Sequence, residues 1–119
     1  MGGWGRRAGK AALLGVALGG SAACGSQVLA AEKPVLTIEI KDHQFVPARL
    51  DVPADTRFIL LVKNQDKTPE EFESFELNRE VVIPGHSEAK VNIGPLRAGR
   101  YPFFGEFNEA TAQGTLIAK

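Results

Sequence analysis

The amino-acid sequence predicts an all-β protein in which two sheets pack face to face as a sandwich. Short segments alternate apolar and polar residues with a period of two, and turns that contain Gly and Pro separate them at near-even spacing. No segment has a convincing helical period, although residues 68–80 come nearest to one. Many short strands with regular turns are typical of a sandwich. The length of 119 residues fits one domain.

Residues 35–66 predict three strands. The first alternates Leu36, Ile38 and Ile40 with polar residues, so one of its faces is buried. The second lies within "QFVPARLDVPADT", which has a Pro towards each end and a turn at "PADT". The third, "RFILLVKN", is a nearly continuous apolar run, which predicts a central strand covered on both faces.

The C-terminal half predicts three further strands. "PGHS" predicts a turn, and the alternation resumes in "EAKVNIGPL". The last two strands are expected in "AGRYPFFGEF" and "GTLIAK".

Residues 1–30 predict a secretory signal peptide, which leaves residues 31–119 as the folded domain. Arg6, Arg7 and Lys10 open this segment, an apolar run follows, and small residues end it. The apolar run is too short to span a bilayer as a helix of the mature protein. The sequence therefore predicts an exported, periplasmic protein with no transmembrane segment in its mature chain.

Two alternatives concern the export route and a lipid anchor. The Arg6-Arg7 pair suggests the twin-arginine route, but the residues around it do not follow the fuller pattern. Cys24 is an alternative site for a lipid anchor, although Ser21 stands where that motif usually carries Leu. A signal region with an incidental Cys is the simpler interpretation.

The charge and cysteine content of the mature chain exclude several functions. Cleavage after residue 30 leaves 11 basic and 14 acidic residues, a net charge of −3, which argues against nucleic-acid binding. The only Cys is lost or lipidated, so the domain has neither a disulfide nor a thiolate ligand. The Ser residues lie in no nucleophile motif, which makes a classical hydrolase a poor interpretation.

Three stretches carry a resemblance to a known family: "FVPARLDVPADTRFILLVKNQDKTPEEF", "VVIPGHSEAKVNIGPLRAGRYPFF" and "GTLIAK". In this order they resemble a cupredoxin, over residues 35–119. Glu71-Phe72-Glu73 matches a Glu-aromatic-Glu pattern, so the sequence is most similar to the EfeO-type cupredoxin-like domain and its stand-alone relatives. The resemblance implies a Greek-key β-sandwich and a periplasmic component of a bacterial ferrous-iron uptake system. Its implied partners are an iron permease and a periplasmic iron-binding protein.

The resemblance also locates the positions of the blue-copper ligands, and none of these ligands is present. Glu70 occupies the position of the first His, Gly105 that of the Cys, and Asn108 that of the second His. Thr111 and Ala112 stand around the position of the axial Met. A blue copper centre needs the thiolate, so it is chemically excluded.

Carboxylates stand near the lost ligands, and they predict a site for a harder cation. Glu70, Glu71 and Glu73 lie in the first ligand loop, and Glu106 lies in the second. Both loops meet at one pole of a cupredoxin, and the resemblance brings His43 near the same pole. Oxygen ligands favour harder cations than Cu(I). We therefore expect a metal site formed by these five residues for iron, as Fe²⁺ or Fe³⁺, or alternatively for copper.

Strand geometry ranks the candidate ligands. Successive side chains of a strand point to opposite faces, so Glu71 and Glu73 share a face if Phe72 is in the core. Glu70 then points inwards with Phe72, unless a bulge follows Pro69. His86, in "PGHS", is expected at the opposite pole and is a poor ligand candidate.

Two functions remain open from the sequence. The protein is either a metal-binding component of iron uptake, with Fe(II) oxidation as one activity, or a metal-free β-sandwich that docks on a transport partner. Exposed Glu clusters are commonly only a solvated face, which is the simplest interpretation of residues 70–76.

Overall fold

The computed structural model describes residues 32–119, and Lys33–Lys119 form one compact unit. The predicted signal peptide and its boundary lie outside the described residues. Residues 32–119 contain nine strands and one short 3-10 helix in this order: β1 Val35–Lys41, β2 Gln44–Val46, β3 Arg49–Val52, β4 Phe58–Asn64, β5 Glu70–Ser74, β6 Arg79–Ile83, β7 Glu88–Ile93, β8 Gly99–Gly105, the 3-10 helix Glu106–Asn108 and β9 Gln113–Ala118.

The strands form two sheets, which confirms the predicted all-β sandwich. The first sheet has the order β2-β1-β4-β7 and the second has the order β3-β9-β8-β5-β6. Strands β1 and β4 pair in parallel, as do β3 and β9, whereas the other neighbours are antiparallel. Both parallel pairs join strands that are not consecutive in the chain, so each sheet depends on long-range contacts.

The core lies between the two sheets and is centred on three aromatic rings. Phe45 from the first sheet packs edge-on against Phe103 and Phe72 of the second, with ring centroids 4.9 and 6.1 Å apart. Aliphatic side chains of the alternating strands surround these rings, and Ile38, Leu60 and Leu116 among them are fully buried. Burial of these apolar side chains supplies the main stabilisation of the sandwich.

The strand predictions hold with two differences. The segment "QFVPARLDV" forms two strands, β2 and β3, and these belong to different sheets. The "RFILLVKN" segment is central, between β1 and β7, but only alternate residues are fully buried and the others are half-buried. Its outer face is therefore only partly covered. Among residues 32–119, no helix is long and apolar enough to cross a membrane.

Residues 70–83, which the sequence left without a clear assignment, form the hairpin β5–β6. The register pairs Phe72 with Val81 and Glu73 with Glu80. Strand β5 also pairs with the end of β8, where Phe72 lies opposite Gly105. This arrangement places the two acidic segments of the sequence next to each other.

Candidate functional site

Strand β5 sorts its glutamates onto two faces, as the sequence predicts. Phe72 is fully buried in the core, and Glu70 points inwards with it and is 1% exposed. Glu71 and Glu73 lie on the other face of the strand. The pairing with β6 is continuous from Glu70 to Ser74, so no bulge brings the three glutamates together.

Four carboxylates meet on the outer face of the second sheet. Glu71 and Glu73 come from β5, Glu80 lies directly opposite Glu73 on β6, and Glu106 follows Gly105 at the end of β8. Each residue offers an oxygen atom, and these atoms all lie within 4.8 Å of one another. We call these four residues the carboxylate cluster. The other two predicted ligands, Glu70 and His43, do not belong to it.

The close approach of like charges raises the pKa values of two members of the cluster. Contact with the Glu106 carboxyl, partial desolvation and the charges of the other three members raise the pKa of Glu73 to about 7. Desolvation, together with contact with the Glu80 carboxyl, raises the pKa of Glu71. A bound proton or cation would therefore stabilise the cluster, because it reduces the negative charge.

Nothing in the described part of the chain neutralises the cluster. The three ion pairs formed among residues 32–119 involve none of its members. Glu71 is only 9% exposed, and Oε1 of Glu73 is buried without a hydrogen-bond partner. A buried carboxylate oxygen without a donor is costly, and a cation bound in the cluster would offset that cost.

Glu70 fills the interior of the pole where the family resemblance places a copper site. Its Oε1 accepts hydrogen bonds from the backbone N–H groups of Glu71 and Phe107, each at 2.9 Å. Its Oε2 accepts a hydrogen bond from Nδ2 of Asn108 at 2.8 Å. The Glu70 carboxylate therefore has donors on both oxygens and is not a free ligand.

The geometry at Gly105 shows that a Cys side chain does not fit at the position of the blue-copper thiolate while Glu70 keeps its place. A Cβ atom at Gly105 would lie 2.6 Å from Cδ of Glu70 and 2.7 Å from its Oε2. The Glu70 carboxylate thus occupies the space into which a Cys side chain at this position would point. The absence of thiolate and imidazole donors here agrees with the sequence-based exclusion of a blue copper centre.

His43 lies at the pole but in a separate polar group around Asp66. The Asp66 carboxylate accepts hydrogen bonds from the backbone N–H groups of Asp42 and His43 at 2.8 and 2.9 Å, and Nδ1 of His43 is 3.6 Å from Oδ2. Thr111 Oγ1 donates to the backbone oxygen of His43. Partial desolvation of Asp66 raises its pKa. The two backbone hydrogen bonds and the nearby histidines lower the pKa by more, so it lies below the ordinary value.

The expected position of His86 is wrong, because the structure places it at the same pole as His43. The backbone N–H of His86 donates to the carbonyl oxygen of Asp66 at 2.8 Å. Gly85 permits this approach, since a Cβ atom there would lie 2.1 Å from the carbonyl oxygen of Lys67. The "PGHS" turn therefore packs on the loop after β4.

Glu80 is the cluster residue that the sequence analysis missed. A predicted β-hairpin would have identified it, because a turn at residues 75–78 places Glu80 opposite Glu73 on the same face of the sheet. The sequence predicted strand alternation for Glu71, Phe72 and Glu73 but no partner strand at residues 79–83, so Glu80 was not grouped with them. The grouping of Glu71, Glu73 and Glu106 was expected from the sequence, whereas metal binding by them stays a prediction.

Comparisons with known proteins agree with this fold. Residues 11–118 match the sequence model of the cupredoxin-like domain. An uncharacterized protein of Rickettsia prowazekii, RP394, is 45% identical over 80 residues, which are 67% of this chain and 64% of that protein. The chain therefore spans less than two thirds of the length of this curated relative.

Two solved structures illustrate the similarity of fold. Auracyanin A, a blue copper protein of Chloroflexus aurantiacus, superposes with a TM-score of 0.63 at 13% identity, over 74% of this chain and 100% of its own. A purple cupredoxin from Nitrosopumilus maritimus gives a TM-score of 0.51 at 16% identity, over 71% of this chain and 99% of its own. At these identities the likeness concerns the fold alone.

Proposed function

This chain belongs to the cupredoxin-like domain family, and from that premise we propose that it binds a metal ion through carboxylates on a sheet surface. The metal we propose is iron, and the role is that of an exported, periplasmic component of iron uptake. The copper position of the family is filled by Glu70, so metal binding needs another location.

The observation that carries this proposal is the carboxylate cluster, in which Oε1 of Glu73 is buried and has no hydrogen-bond donor among residues 32–119. Four carboxylates within 4.8 Å of one another offer enough oxygen atoms for most of a coordination shell. Glu80 and Glu106 are exposed, but the buried oxygen of Glu73 and the burial of Glu71 favour a binding site over a solvated acidic face. A cation in the centre would remove the repulsion that raises the pKa of Glu73 to about 7.

The chemistry of the donor set selects among metals. A site made only of oxygen atoms suits hard cations, which include Fe(III) and Mn(II), better than it suits Cu(I). A concentration of negative charge also binds a trivalent ion more tightly than a divalent ion, because the attraction grows with the charge of the ion. The proposed site therefore favours Fe(III) over Fe(II). Fe(II) bound there would be oxidised more readily than free Fe(II), with dioxygen as the electron acceptor. Copper as Cu(II) is the alternative cargo.

The wider role rests on the sequence resemblance and is part of the same proposal. The EfeO-type pattern Glu71-Phe72-Glu73 supports a place beside an iron permease and a periplasmic iron-binding partner. The basic, apolar and small-residue order of residues 1–30 supports export. An N-terminal sequence of the protein recovered from cells tests this last point, and a chain that still begins at Met1 would contradict it.

Metal titration of the purified protein tests the central proposal. Calorimetric titrations with Fe(II) under anaerobic conditions, Fe(III) citrate, Mn(II) and Cu(II) are compared between the wild type and the double variant Glu71→Gln/Glu73→Gln. Gln keeps the size of the side chain and removes its charge. Glu88→Gln is the matched control, because Glu88 is an exposed glutamate on β7 of the other sheet.

We expect the wild type and Glu88→Gln to bind one equivalent of iron and to gain thermal stability from it. The double variant should bind at least about tenfold more weakly, as is typical when ligands or their close supports are lost. Equal binding by all three proteins, or no stabilisation of the wild type by any of these metals, would refute the metal site. The metal-free docking function would then be the better interpretation.

A further inference from the structure

Large apolar side chains are exposed around the carboxylate cluster. Phe75, in the turn between β5 and β6, is 74% exposed, and Val82 on β6 and Phe107 beside Glu106 are 53% and 50% exposed. The ring of Phe75 lies 5.7 Å from that of Phe104, which pairs with Glu73 across the sheet. Three of the five exposed large apolar side chains of residues 32–119 therefore lie beside the cluster. A group of this kind on a small domain is typical of an interaction site.

A cavity of about 230 Å³ connects the exposed aromatic residue to the carboxylates. Phe75, Glu73 and Glu80 line it, together with Ser74, Asn78 and Arg79. An aromatic face next to two carboxylates is the arrangement that recognises a guanidinium or ammonium group, through charge-assisted hydrogen bonds and a cation–π contact.

Arg79 does not supply that cation from within the chain. Its Nε and Nη2 atoms donate to the carbonyl oxygen of Asn92 on β7, at 3.1 and 3.0 Å. Its Nη1 donates to the carbonyl oxygens of Leu77 and Asn78. The guanidinium group is thus turned towards the other sheet, and no basic side chain of residues 32–119 forms an ion pair with the carboxylates of the cavity.

We infer that this face is a docking surface for a partner protein that presents an Arg or Lys side chain between apolar residues. The basic group enters the cavity beside Phe75 and pairs with Glu73 and Glu80, while its apolar neighbours cover Phe75 and Val82. Charge complementarity identifies the partner, because the four carboxylates of the cluster form no ion pair within residues 32–119. The inference goes beyond the proposed metal binding and concerns the metal-free protein, because Glu73 and Glu80 are also members of the proposed metal site. Phe75 and Val82 carry no ligand atoms, so substitutions there distinguish the two functions.

A peptide with the chemistry of the proposed partner provides the test. Isotope-labelled protein is titrated with acetyl-Leu-Arg-Leu-Arg-Leu-amide and, in parallel, with the same peptide in which citrulline replaces both arginines. Citrulline keeps the shape of Arg and removes its charge. Backbone NMR shifts report both the affinity and the location of the bound peptide.

We expect saturable shifts centred on Glu73, Phe75 and Glu80, and affinity about tenfold lower for the citrulline peptide. Phe75→Ser and Val82→Ser should each weaken binding about five- to tenfold, as for interface residues that contribute measurably to binding. Val35→Ser is the matched control, because Val35 is 55% exposed on the first sheet and Val82 is 53% exposed on the second. Shifts scattered over all acidic residues, or equal effects of Val82→Ser and Val35→Ser, would overturn the inference.

Metal titration of the Phe75→Ser variant separates this inference from the proposed function. This variant keeps every carboxylate, so its iron affinity should equal that of the wild type even though peptide binding is lost. Loss of both activities in Phe75→Ser would show that the aromatic residue supports the cluster itself, and the docking surface would then be rejected.

Discussion

Asn108 donates a hydrogen bond from Nδ2 to Oε2 of Glu70 over 2.8 Å, and this contact joins the two positions that the resemblance assigns to copper-binding histidines. The Phe107 N–H adds a second hydrogen bond to the same carboxylate. A buried carboxylate with its own donors thus connects β5 to the 3-10 helix after β8.

Substitution of Glu70 should therefore destabilise the protein strongly. Glu70→Ala removes a side chain that is 1% exposed and leaves the N–H donors of Glu71, Phe107 and Asn108 without their acceptor. We expect the free energy of unfolding to fall by about 2–5 kcal/mol, from unpaired donors and a cavity. Urea denaturation measures this value.

The control for this variant is Glu109→Ala, which alters an exposed glutamate just after the 3-10 helix. Its effect should stay within about 0.5 kcal/mol, the usual range for surface substitutions. Equal stabilities of the two variants would show that the Glu70 hydrogen bonds contribute nothing.

Gly105 should tolerate no side chain while Glu70 is present. A Cβ atom there would lie 2.6 Å from Cδ of Glu70 and 2.7 Å from Cβ of Ala112. We expect Gly105→Ala to reduce stability by about 1–3 kcal/mol, as overpacking does. Combined with Glu70→Ala, its cost should fall by about 0.5 kcal/mol or more, because one of the two obstacles is gone. A double-mutant cycle in urea measures this coupling, and strict additivity would contradict the proposed clash.

Copper should not give this protein an intense blue colour. The domain from residue 31 onwards contains no Cys, and Gly105 stands at the thiolate position. A thiolate-to-copper absorption band needs that sulfur atom. The visible absorption spectrum of the purified domain with one equivalent of Cu(II) checks this. An intense blue band would disprove the interpretation of Gly105 as the position of the lost thiolate.

The sequence predicted the sandwich and the separation of the glutamates because both follow from strand periodicity. Once Phe72 is assigned to the core, alternation places Glu70 inside and Glu71 and Glu73 outside. Interactions that depend on the approach of distant backbones could not be predicted in this way. Gly85 permits the turn of His86 to contact Asp66, and no local pattern announces this contact.

The part of the candidate site that the sequence missed also has a physical cause. The role of Glu80 depends on the register of the β5–β6 hairpin, which a turn of four residues sets. Likewise, two of the three hydrogen bonds of Glu70, those from Phe107 and Asn108, depend on how the 3-10 helix folds back over β5. The acidic residues of the sequence predict a negatively charged region. Which of them are candidate ligands and which are structural can be decided only when the register of the strands is known.

The stability of the metal-free protein should fall as the pH rises through neutrality. Contact with Glu106, desolvation and the neighbouring charges raise the pKa of Glu73 from an ordinary value of 4.5 to about 7. Between these two values the folded protein binds more protons than the unfolded chain, so the free energy of unfolding falls as the pH rises. The contribution of Glu73 is fully present below pH 4.5 and is lost as the pH passes about 7. Glu71, whose pKa is also raised, acts in the same direction.

Thermal unfolding of the wild type, Glu73→Gln and Glu88→Gln, measured in metal-chelated buffer from about pH 5 to pH 8, tests this sign. The wild type and Glu88→Gln should lose stability relative to Glu73→Gln across this range, because the amide introduced by Glu73→Gln has no proton to release. Asp66 does not affect the comparison. Its pKa lies below the ordinary value of 3.8, outside the measured pH range, and all three proteins contain this residue. Saturating Mn(II) near pH 8 should restore the wild type selectively, because the ion then replaces the protons that the cluster has lost. Parallel pH profiles for the wild type and Glu73→Gln would show that the carboxylates of the cluster do not interact in solution.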